Sequence, residues 1–275
     1  MVKIMLDSAS DGKNIHPHHY YIPITVDIGG QVYKDSCNLQ PEEFYELLAT
    51  SEEFPKTAQP SPEEYIPIFE EAKEHGDEIV YLCVSGSLSG TLQSANIAKG
   101  IVDYDGIHIV DTRTASHVIG MLAQYADKLV KEGLDAAQIT EKVLALRDRQ
   151  VIFAGLQTLE YLHKGGRLSR TSAAIGTVAN IKPIITITKD GKVESCAKAI
   201  GVKRAIQTIV KQVESHQIDT QFDIWSLYSA DAENCQALEA AMADIGYPVT
   251  GRMQIGPTIG AHTGPGVYGI LFVEK

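Results

Sequence analysis

The fold of the first half of the chain is decided by three consecutive segments: Glu78-Ile-Val-Tyr-Leu-Cys-Val84, Ser85-Gly-Ser-Leu-Ser-Gly-Thr91 and Leu92-Gln-Ser-Ala-Asn-Ile-Ala-Lys-Gly-Ile-Val102. The first is a nearly uninterrupted apolar run, which predicts a strand buried on both faces, and the third has apolar residues at helical spacing. The loop between them is rich in glycine and hydroxyl groups and leads into a helix N-terminus. Such a loop lets its backbone approach a ligand closely and favours an anion.

The spacing within this loop excludes three common motifs. Leu88 stands at the centre of the Gly86 to Gly90 segment, so the loop is not a G-x-S-x-G nucleophile elbow. It also lacks the Gly-Lys-Ser/Thr of a P-loop and the G-x-G-x-x-G of a dinucleotide site. From the loop alone, two interpretations stay open: an anion site, and a plain helix N-cap in which Ser89 satisfies backbone amides.

Length and composition limit the classes of protein to consider. The 275 residues exceed a typical single core and favour two domains, and a net charge of -11 argues against nucleic acid as a partner. No apolar run approaches the ~20 residues of a membrane span, and Asp7 comes too early for a signal peptide, so we expect a cytoplasmic protein without integral membrane association. The four cysteines form no C-x-x-C pair and predict neither a zinc site nor a disulfide framework.

Strands alternate with helices through the N-terminal half. This pattern predicts an α/β domain over residues 1–150 with a parallel, doubly wound sheet and with ligands at the carboxyl ends of its strands. Tyr20 to Ile28 and Val32-Tyr33 predict two strands that turn at Gly29-Gly30. Prolines flank the Phe54 to Pro60 segment, which predicts a stiff extended loop carrying Thr57.

The pattern changes after residue 150 and predicts an α+β domain over residues 151–275. Thr171 to Ile181 is rich in alanine and glycine and predicts a tightly packed helix, and Asp190-Gly191 predicts a hairpin. The Gly-rich segment from Ile255 to Gly266 predicts a rigid loop that brings His262 close to a ligand. His16-Pro-His-His19 lacks helical spacing, which favours a solvated loop over a metal site.

Six motifs, taken in order, resemble those of the bacterial DegV family. They span the chain: Asp7-Ser8, Thr57-Ala-Gln-Pro-Ser61, Ser85-Gly-Ser-Leu-Ser-Gly-Thr91, Tyr161-Leu-His-Lys-Gly-Gly-Arg-Leu-Ser169, Ile181-Lys-Pro-Ile184 and Gly260-Ala-His-Thr-Gly-Pro-Gly266. The resemblance implies a two-domain α/β protein with a ligand cleft between its domains. It also implies that the chain binds one long-chain fatty acid and serves as the fatty-acid-binding subunit of a bacterial fatty acid kinase.

Residue by residue, the resemblance assigns the fatty-acid carboxylate to Thr57, Ser89 and His262, and we add Ser85 and Gly90 from the same serine-rich loop. It implies no metal and no cofactor other than the bound acid. Ile200 stands where the family commonly has an arginine on the face used by the kinase, so we expect a weakened kinase partnership.

Our leading interpretation is therefore a carrier that is not itself an enzyme and that presents the carboxylate to a separate kinase. Two alternatives are a serine hydrolase or acyltransferase that uses Ser89 with His262, and a phosphate- or nucleotide-binding module. Neither residues 57–61 nor residues 85–91 contain Lys or Arg. We therefore expect hydroxyls and helix amides, rather than an ion pair, to hold the carboxylate.

Overall fold

The computed structural model of the chain describes residues 1–11, 19–168 and 180–275. Its strands are β1 (Val2–Asp7), β2 (Tyr20–Ile22), β3 (Thr25–Ile28), β4 (Gln31–Lys34), β5 (Lys56–Ala58), β6 (Glu78–Cys83), β7 (Ile107–Asp111), β8 (Gln150–Gly155), β9 (Ile181–Ile187), β10 (Val193–Ile200), β11 (Trp225–Tyr228), β12 (Gly251–Gln254) and β13 (Tyr268–Val273). Its helices are α1 (Pro41–Thr50), α2 (Pro62–His75), α3 (Thr91–Val102), α4 (His117–Lys131), α5 (Ala136–Arg147), α6 (Glu160–Lys164), α7 (Val202–Glu214), α8 (Glu233–Asp244) and α9 (Pro257–Thr263).

Among the described residues the strands form three sheets. The parallel sheet has the order β2-β1-β6-β7, the small sheet β4-β3-β5, and the large sheet β10-β9-β8-β13-β11-β12. All pairings in the parallel sheet are parallel, which confirms the predicted α/β arrangement of the first half. From β1 the chain adds β2 on one side and β6 and β7 on the other, so the order in which strands are added reverses between β1 and β6. The carboxyl ends of two such neighbouring strands border a ligand crevice.

The small sheet confirms one prediction and corrects two. The hairpin between β3 and β4 turns at Gly29 and Gly30, which have φ of 61° and 75°. Tyr20 to Ile28 is not one strand, because β2 joins the parallel sheet and β3 joins the small sheet. The segment around Thr57 is not a loop, because its extended backbone pairs with the open edge of β3 as β5.

The large sheet packs its two faces against different partners. One face packs against α7 and α8 through side chains such as Ile209 and Leu238. Ala154, Ile185 and Leu227 belong instead to the core that contains the strands of the parallel sheet. The division into domains at residue 150 stays a prediction, which we retain because the parallel sheet uses residues 2–111 and the large sheet residues 150–273.

The Gly-rich segment before β13 is a helix rather than the predicted loop. Pro257 occupies the first helical position of α9, which suits proline because that position needs no amide bond. Gly256 N and Thr258 N donate to Asp11 Oδ1 and Asp35 Oδ2, each at 2.9 Å, so carboxylates from the N-terminal half cap the helix. His262 lies in its last turn.

Two other predictions fall on residues that the structure does not describe. Most of the helix predicted for Thr171 to Ile181, residues 171–179, lies outside the described residues. Ile181 begins β9, so the predicted end of that helix is wrong. His16 to His18 are also outside the described residues, whereas His19 Nε2 lies 2.7 Å from Asp127 Oδ1. In the described ranges, no helix combines the length and the apolar character needed to cross a membrane.

Candidate ligand-binding site

A cavity of about 360 Å³ lies between the parallel sheet and the large sheet. Ala9, Val84 and Ala115 line it from the chain that follows β1, β6 and β7, at the carboxyl ends where the topology predicts a ligand. Ala154 and Ile185 of the large sheet face them. Most of the lining is therefore aliphatic, which suits a hydrocarbon ligand.

One end of the cavity is polar and brings together side chains from distant parts of the chain. Thr57 of β5, Ser89 of the loop before α3 and His262 of α9 all line this cavity. Thr57 Oγ1 and His262 Nε2 are 2.8 Å apart, although the two residues are 205 positions apart in the sequence. Ser89 Oγ lies 2.8 Å from Thr91 Oγ1 and accepts a bond of 3.3 Å from Thr91 N at the start of α3.

His262 is a neutral imidazole near neutral pH. Burial lowers the pKa of His262 to about 4, and the positive charge of Arg167 adds to the effect. Its Nδ1 is buried and has no hydrogen-bond partner among the described residues. Gly165 packs against that nitrogen so closely that a methyl group at position 165 would collide with it. The glycine therefore fixes the place of the ring.

Arg167 is the residue of this site that the sequence argument missed. It lines the cavity, with Nε donating to Leu88 O at 3.0 Å and Nη1 to Gly165 O at 2.6 Å. Burial lowers the pKa of Arg167, and in the described part of the chain no carboxylate pairs with it. The expectation that hydroxyls and helix amides, rather than an ion pair, hold the carboxylate considered only residues 57–61 and 85–91, and it stays a prediction. Arg167 of the basic loop adds a cation to the cavity lining.

Ser85 and Gly90 lie behind the site rather than in the described lining. Ser85 is fully buried, and its Oγ donates to Gly191 O at 2.8 Å, which joins the serine-rich loop to the β9–β10 hairpin. Gly90 makes room for the side chain of Gln59, whose Nε2 donates to Ser94 Oγ at 3.0 Å. Both residues therefore hold the serine-rich loop against its neighbours, and their part in ligand binding stays a prediction.

The arrangement does not match a hydrolytic triad. His262 Nε2 is bonded to Thr57, and Ser89 Oγ is bonded to Thr91, so the imidazole is not positioned to take a proton from Ser89. The unpartnered Nδ1 of His262 also has no acid to orient the ring among the described residues. Within the same residues, no group of three or more His, Cys, Asp or Glu side chains is arranged to hold a metal ion.

A second polar cluster, which we call the carboxylate cluster, consists of Asp7, Asp11 and Asp35. Asp7 and Asp35 are buried and Asp11 is half-buried. Desolvation raises the pKa of Asp7 to about 6, that of Asp11 to about 8 and that of Asp35 above its usual range. Ser116 and Thr258, which line the cavity, donate to Asp11 and Asp35. The cluster thus connects the cavity wall to the N-terminus of α9.

Comparison with known proteins gives the family directly. The sequence model of the DegV family matches residues 1–275. This chain belongs to the DegV family. A DegV domain-containing protein of Caldanaerobacter subterraneus subsp. tengcongensis is 34% identical to it over 258 residues, covering 93% of this chain and 91% of that protein.

Solved DegV structures share the fold. A fatty-acid-binding DegV family protein from Thermus thermophilus matches with a TM-score of 0.89 and 31% identity, over 100% of this chain and 99% of that chain. The Fatty Acid Kinase (Fak) B3 protein of Streptococcus pneumoniae, loaded with linoleic acid, matches with a TM-score of 0.87 over 100% of both chains. Its identity to this chain is 24%, so that likeness concerns the fold.

Proposed function

We propose that this DegV-family chain binds one long-chain fatty acid in the cavity and holds the carboxylate at its polar end. The observation that carries the proposal is the pairing of an aliphatic cavity with an arginine that has no carboxylate partner among the described residues. The fatty acid bound by the relative from Thermus thermophilus supports the same ligand class. Thr57, Ser89, His262 and Arg167 contact the carboxylate in this proposal, with Ser85 and Gly90 shaping the loop behind it.

The hydrogen bond between Thr57 and His262 suits an acceptor-only ligand. If the neutral imidazole donates its Nε2 proton to Thr57 Oγ1, the threonine hydroxyl keeps its own proton for a carboxylate oxygen. If Thr91 Oγ1 donates to Ser89 Oγ, which also accepts from Thr91 N, the serine hydroxyl likewise keeps its proton for the ligand. Arg167 adds a charge-assisted donor, and such bonds are roughly twice as strong as neutral ones.

The acyl chain supplies most of the affinity. Each methylene removed from water contributes about 0.8 kcal/mol, whereas a hydrogen bond to a charged group contributes about 1.5–3 kcal/mol. The cavity volume of about 360 Å³ lies within the roughly 300–1,000 Å³ of ligand pockets. A long chain buried between the two sheets therefore outweighs the polar end in free energy, while the polar end sets the direction of the ligand.

The experiment is mass spectrometry of an organic-solvent extract of the purified protein, followed by incubation with free fatty acids. We expect about one acyl chain per protein chain. Extracts without acyl species, together with no uptake on incubation, would contradict the proposal. Covalent labelling of Ser89 by a serine-directed probe would instead favour the hydrolase, and saturable nucleotide binding would favour the nucleotide module.

We further propose that the chain is not an enzyme and that it presents the carboxylate to a separate fatty acid kinase in the cytoplasm. A shallow groove on β10 and α7 is lined by Lys198, Arg204 and Lys211, with no carboxylate among its described lining residues. This groove offers a basic face to an acidic partner surface. Ile200 lies in it and is 57% exposed, with its apolar side chain where an arginine would add a further charge.

The kinase proposal is tested by measuring complex formation with a fatty acid kinase. We expect weak binding by the parent chain and tighter binding by Ile200→Arg, because the substitution restores a cation in the groove. The exposed residue Val32, far from this groove in sequence, provides a matched control as Val32→Arg. Equal kinase binding by the parent and Ile200→Arg would show that Ile200 does not weaken the partnership.

A further inference from the structure

Two of the hydroxyls proposed to hold the carboxylate belong to elements of different sheets. Thr57 lies on β5, a three-residue strand that pairs with β3 of the small sheet. Ser89 lies in the loop that follows β6 of the parallel sheet and leads into α3. The separation of the two hydroxyls therefore depends on how β5 is held against the start of α3.

The side chain of Gln59 connects these two elements. Gln59 comes two residues after Thr57 in a segment that the following proline keeps extended, so both side chains leave the same face of the segment. Both residues line the cavity. Gln59 Nε2 donates to Ser94 Oγ at 3.0 Å. Ser94 is buried in α3, and its amide donates to Gly90 O, so the bond ties the strand of Thr57 to the first turn of the helix.

Gly90 provides the space for this side chain. The carboxamide of Gln59 packs so closely on Gly90 that a methyl group at position 90 would collide with it. The φ of Gly90 is -75°, which other residues adopt freely, so the glycine serves close approach rather than a special turn. Because Gly90 directly follows Ser89, the contact holds β5 against the backbone next to the serine.

A fixed separation of the two hydroxyls matters for a carboxylate. A carboxylate has two oxygens and can accept from Thr57 and Ser89 at once only if the two donors lie at the right separation. A site whose donors are already in place loses less binding free energy to ordering them. An alcohol has a single oxygen, so its binding does not depend on that separation.

We propose that Gln59 is a positioning residue that sets the separation of the Thr57 and Ser89 hydroxyls and thereby favours carboxylates over alcohols of the same chain length. This inference rests on the proposed fatty-acid binding and adds a residue that determines head-group specificity. Without the bond to Ser94, ligand binding itself has to hold β5 and α3 together. The affinity lost is then limited by the net contribution of one hydrogen bond, about 0.5–1.5 kcal/mol, which converts to about twofold to tenfold.

The experiment measures displacement of a fluorescent fatty acid by palmitate and by hexadecanol, which have the same number of carbons and differ in the head group. Gln59→Met keeps an unbranched side chain but cannot donate to Ser94, and Ser94→Ala removes the acceptor. The double variant combines the two. Gln93→Met is the matched control, because Gln93 is the same residue type, is exposed on α3 and lies outside the described cavity lining. Thermal unfolding checks that each variant is folded.

We expect Gln59→Met and Ser94→Ala each to weaken palmitate binding by about twofold to tenfold, while the affinity for hexadecanol stays close to that of the parent. The double variant should lose no more than either single variant, because both substitutions remove the same bond. Gln93→Met should bind both ligands as the parent does.

Four results would overturn the inference: equal losses for palmitate and hexadecanol, parental palmitate affinity in folded Gln59→Met or Ser94→Ala, additive losses in the double variant, or an equal loss in Gln93→Met. Failure of the parent to bind palmitate or any other fatty acid would instead overturn the proposed function.

Discussion

Two polar clusters border the same cavity and differ in how their hydrogen-bonding groups are used. In the carboxylate cluster, Asp7 accepts from Ala9 N, Tyr81 and Val84 N, while Asp11 and Asp35 accept from backbone amides and hydroxyls around α9. At the polar end of the cavity, Arg167 has no carboxylate partner and His262 Nδ1 has no hydrogen-bond partner among the described residues.

This difference separates a structural cluster from a candidate site. Buried polar groups that satisfy one another stabilise a particular packing, whereas a cavity-lining cation such as Arg167, which has no carboxylate partner among the described residues, indicates a missing anionic ligand. We therefore expect substitutions in the carboxylate cluster to change stability and substitutions at the polar end to change ligand binding. The four predictions below test that separation.

The largest effect on binding is expected from Arg167→Ala. Loss of the charge-assisted bonds should weaken fatty-acid binding by about a hundredfold. Displacement of a fluorescent fatty acid measures the change. Lys164→Ala in the same loop is the matched control, because it removes one positive charge from an exposed side chain outside the described cavity lining. Equal losses in both variants would show that only net charge matters.

Ser89→Ala and Thr57→Val should each weaken binding by about tenfold to a hundredfold, because each removes a donor to the carboxylate in a partly dehydrated site. Ser87→Ala is the control in the same loop, since Ser87 Oγ donates to Asp190 O at 2.8 Å and lies outside the described lining. The same displacement assay is used, with circular dichroism to confirm folding. Parental affinity in both Ser89→Ala and Thr57→Val would place the carboxylate elsewhere.

Asp11→Asn should alter the pH dependence of stability while leaving fatty-acid binding nearly unchanged. The pKa of Asp11 is about 8 in the fold against 3.8 for an unperturbed aspartate, so the folded chain binds this proton more tightly than the unfolded chain does. The stabilisation is complete at low pH and is lost as the pH rises through 8. Between pH 6.5 and 8, which is above the pKa of Asp7 and of His262, the free energy of unfolding of the parent should fall by up to about 2 kcal/mol. Asp11→Asn should not show this decrease.

Urea unfolding at the two pH values measures this difference. Asp35 is unchanged in both proteins, so comparing the parent with the variant isolates Asp11. Parallel pH profiles would contradict the assignment of a raised pKa to Asp11. A large loss of binding at constant stability would contradict the separation between the two clusters.

Among the substitutions at the polar end, the smallest effect on binding is expected from His262→Ala. The imidazole orients the hydroxyl of Thr57 without carrying a charge, so its loss should weaken binding only a few-fold while transfer of phosphate to the carboxylate falls further. Fluorescent displacement and a coupled kinase assay measure the two effects. A loss of affinity as large as that of Arg167→Ala would mean that His262 itself carries the negative group.

The sequence predicts this site unevenly. Ser89 and His262 could each be proposed from a local pattern, a Gly- and Ser-rich loop between a buried strand and a helix for Ser89 and a Gly-rich segment for His262. The assignment of Thr57 to the carboxylate followed from the resemblance to the DegV family. Arg167 was missed because its role depends on α6 and α9 meeting at Gly165, a contact between residues about a hundred positions apart.

The fold was likewise predicted best where the signal is local. Strand β6 and helix α3 follow from apolar runs and periodicity, and the parallel arrangement follows from their alternation. Helix α9 was predicted as a loop for two reasons. Its Gly260 serves close packing against Phe44 and Tyr45 of α1. The carboxylates that cap the first amides of the helix come from Asp11 and Asp35, which are distant in sequence. Neither cause is visible in the local sequence, and the same holds for the pairing of β5 with β3.

The most direct test of the central claim is a crystal structure of the protein with a long-chain fatty acid that carries bromine on its terminal carbon. We expect carboxylate oxygens within hydrogen-bonding distance of Thr57, Ser89 and Arg167, and an anomalous bromine peak among the aliphatic side chains that line the cavity. A bromine peak at Arg167, or an acid bound outside the cavity that Thr57 and His262 line, would contradict the account.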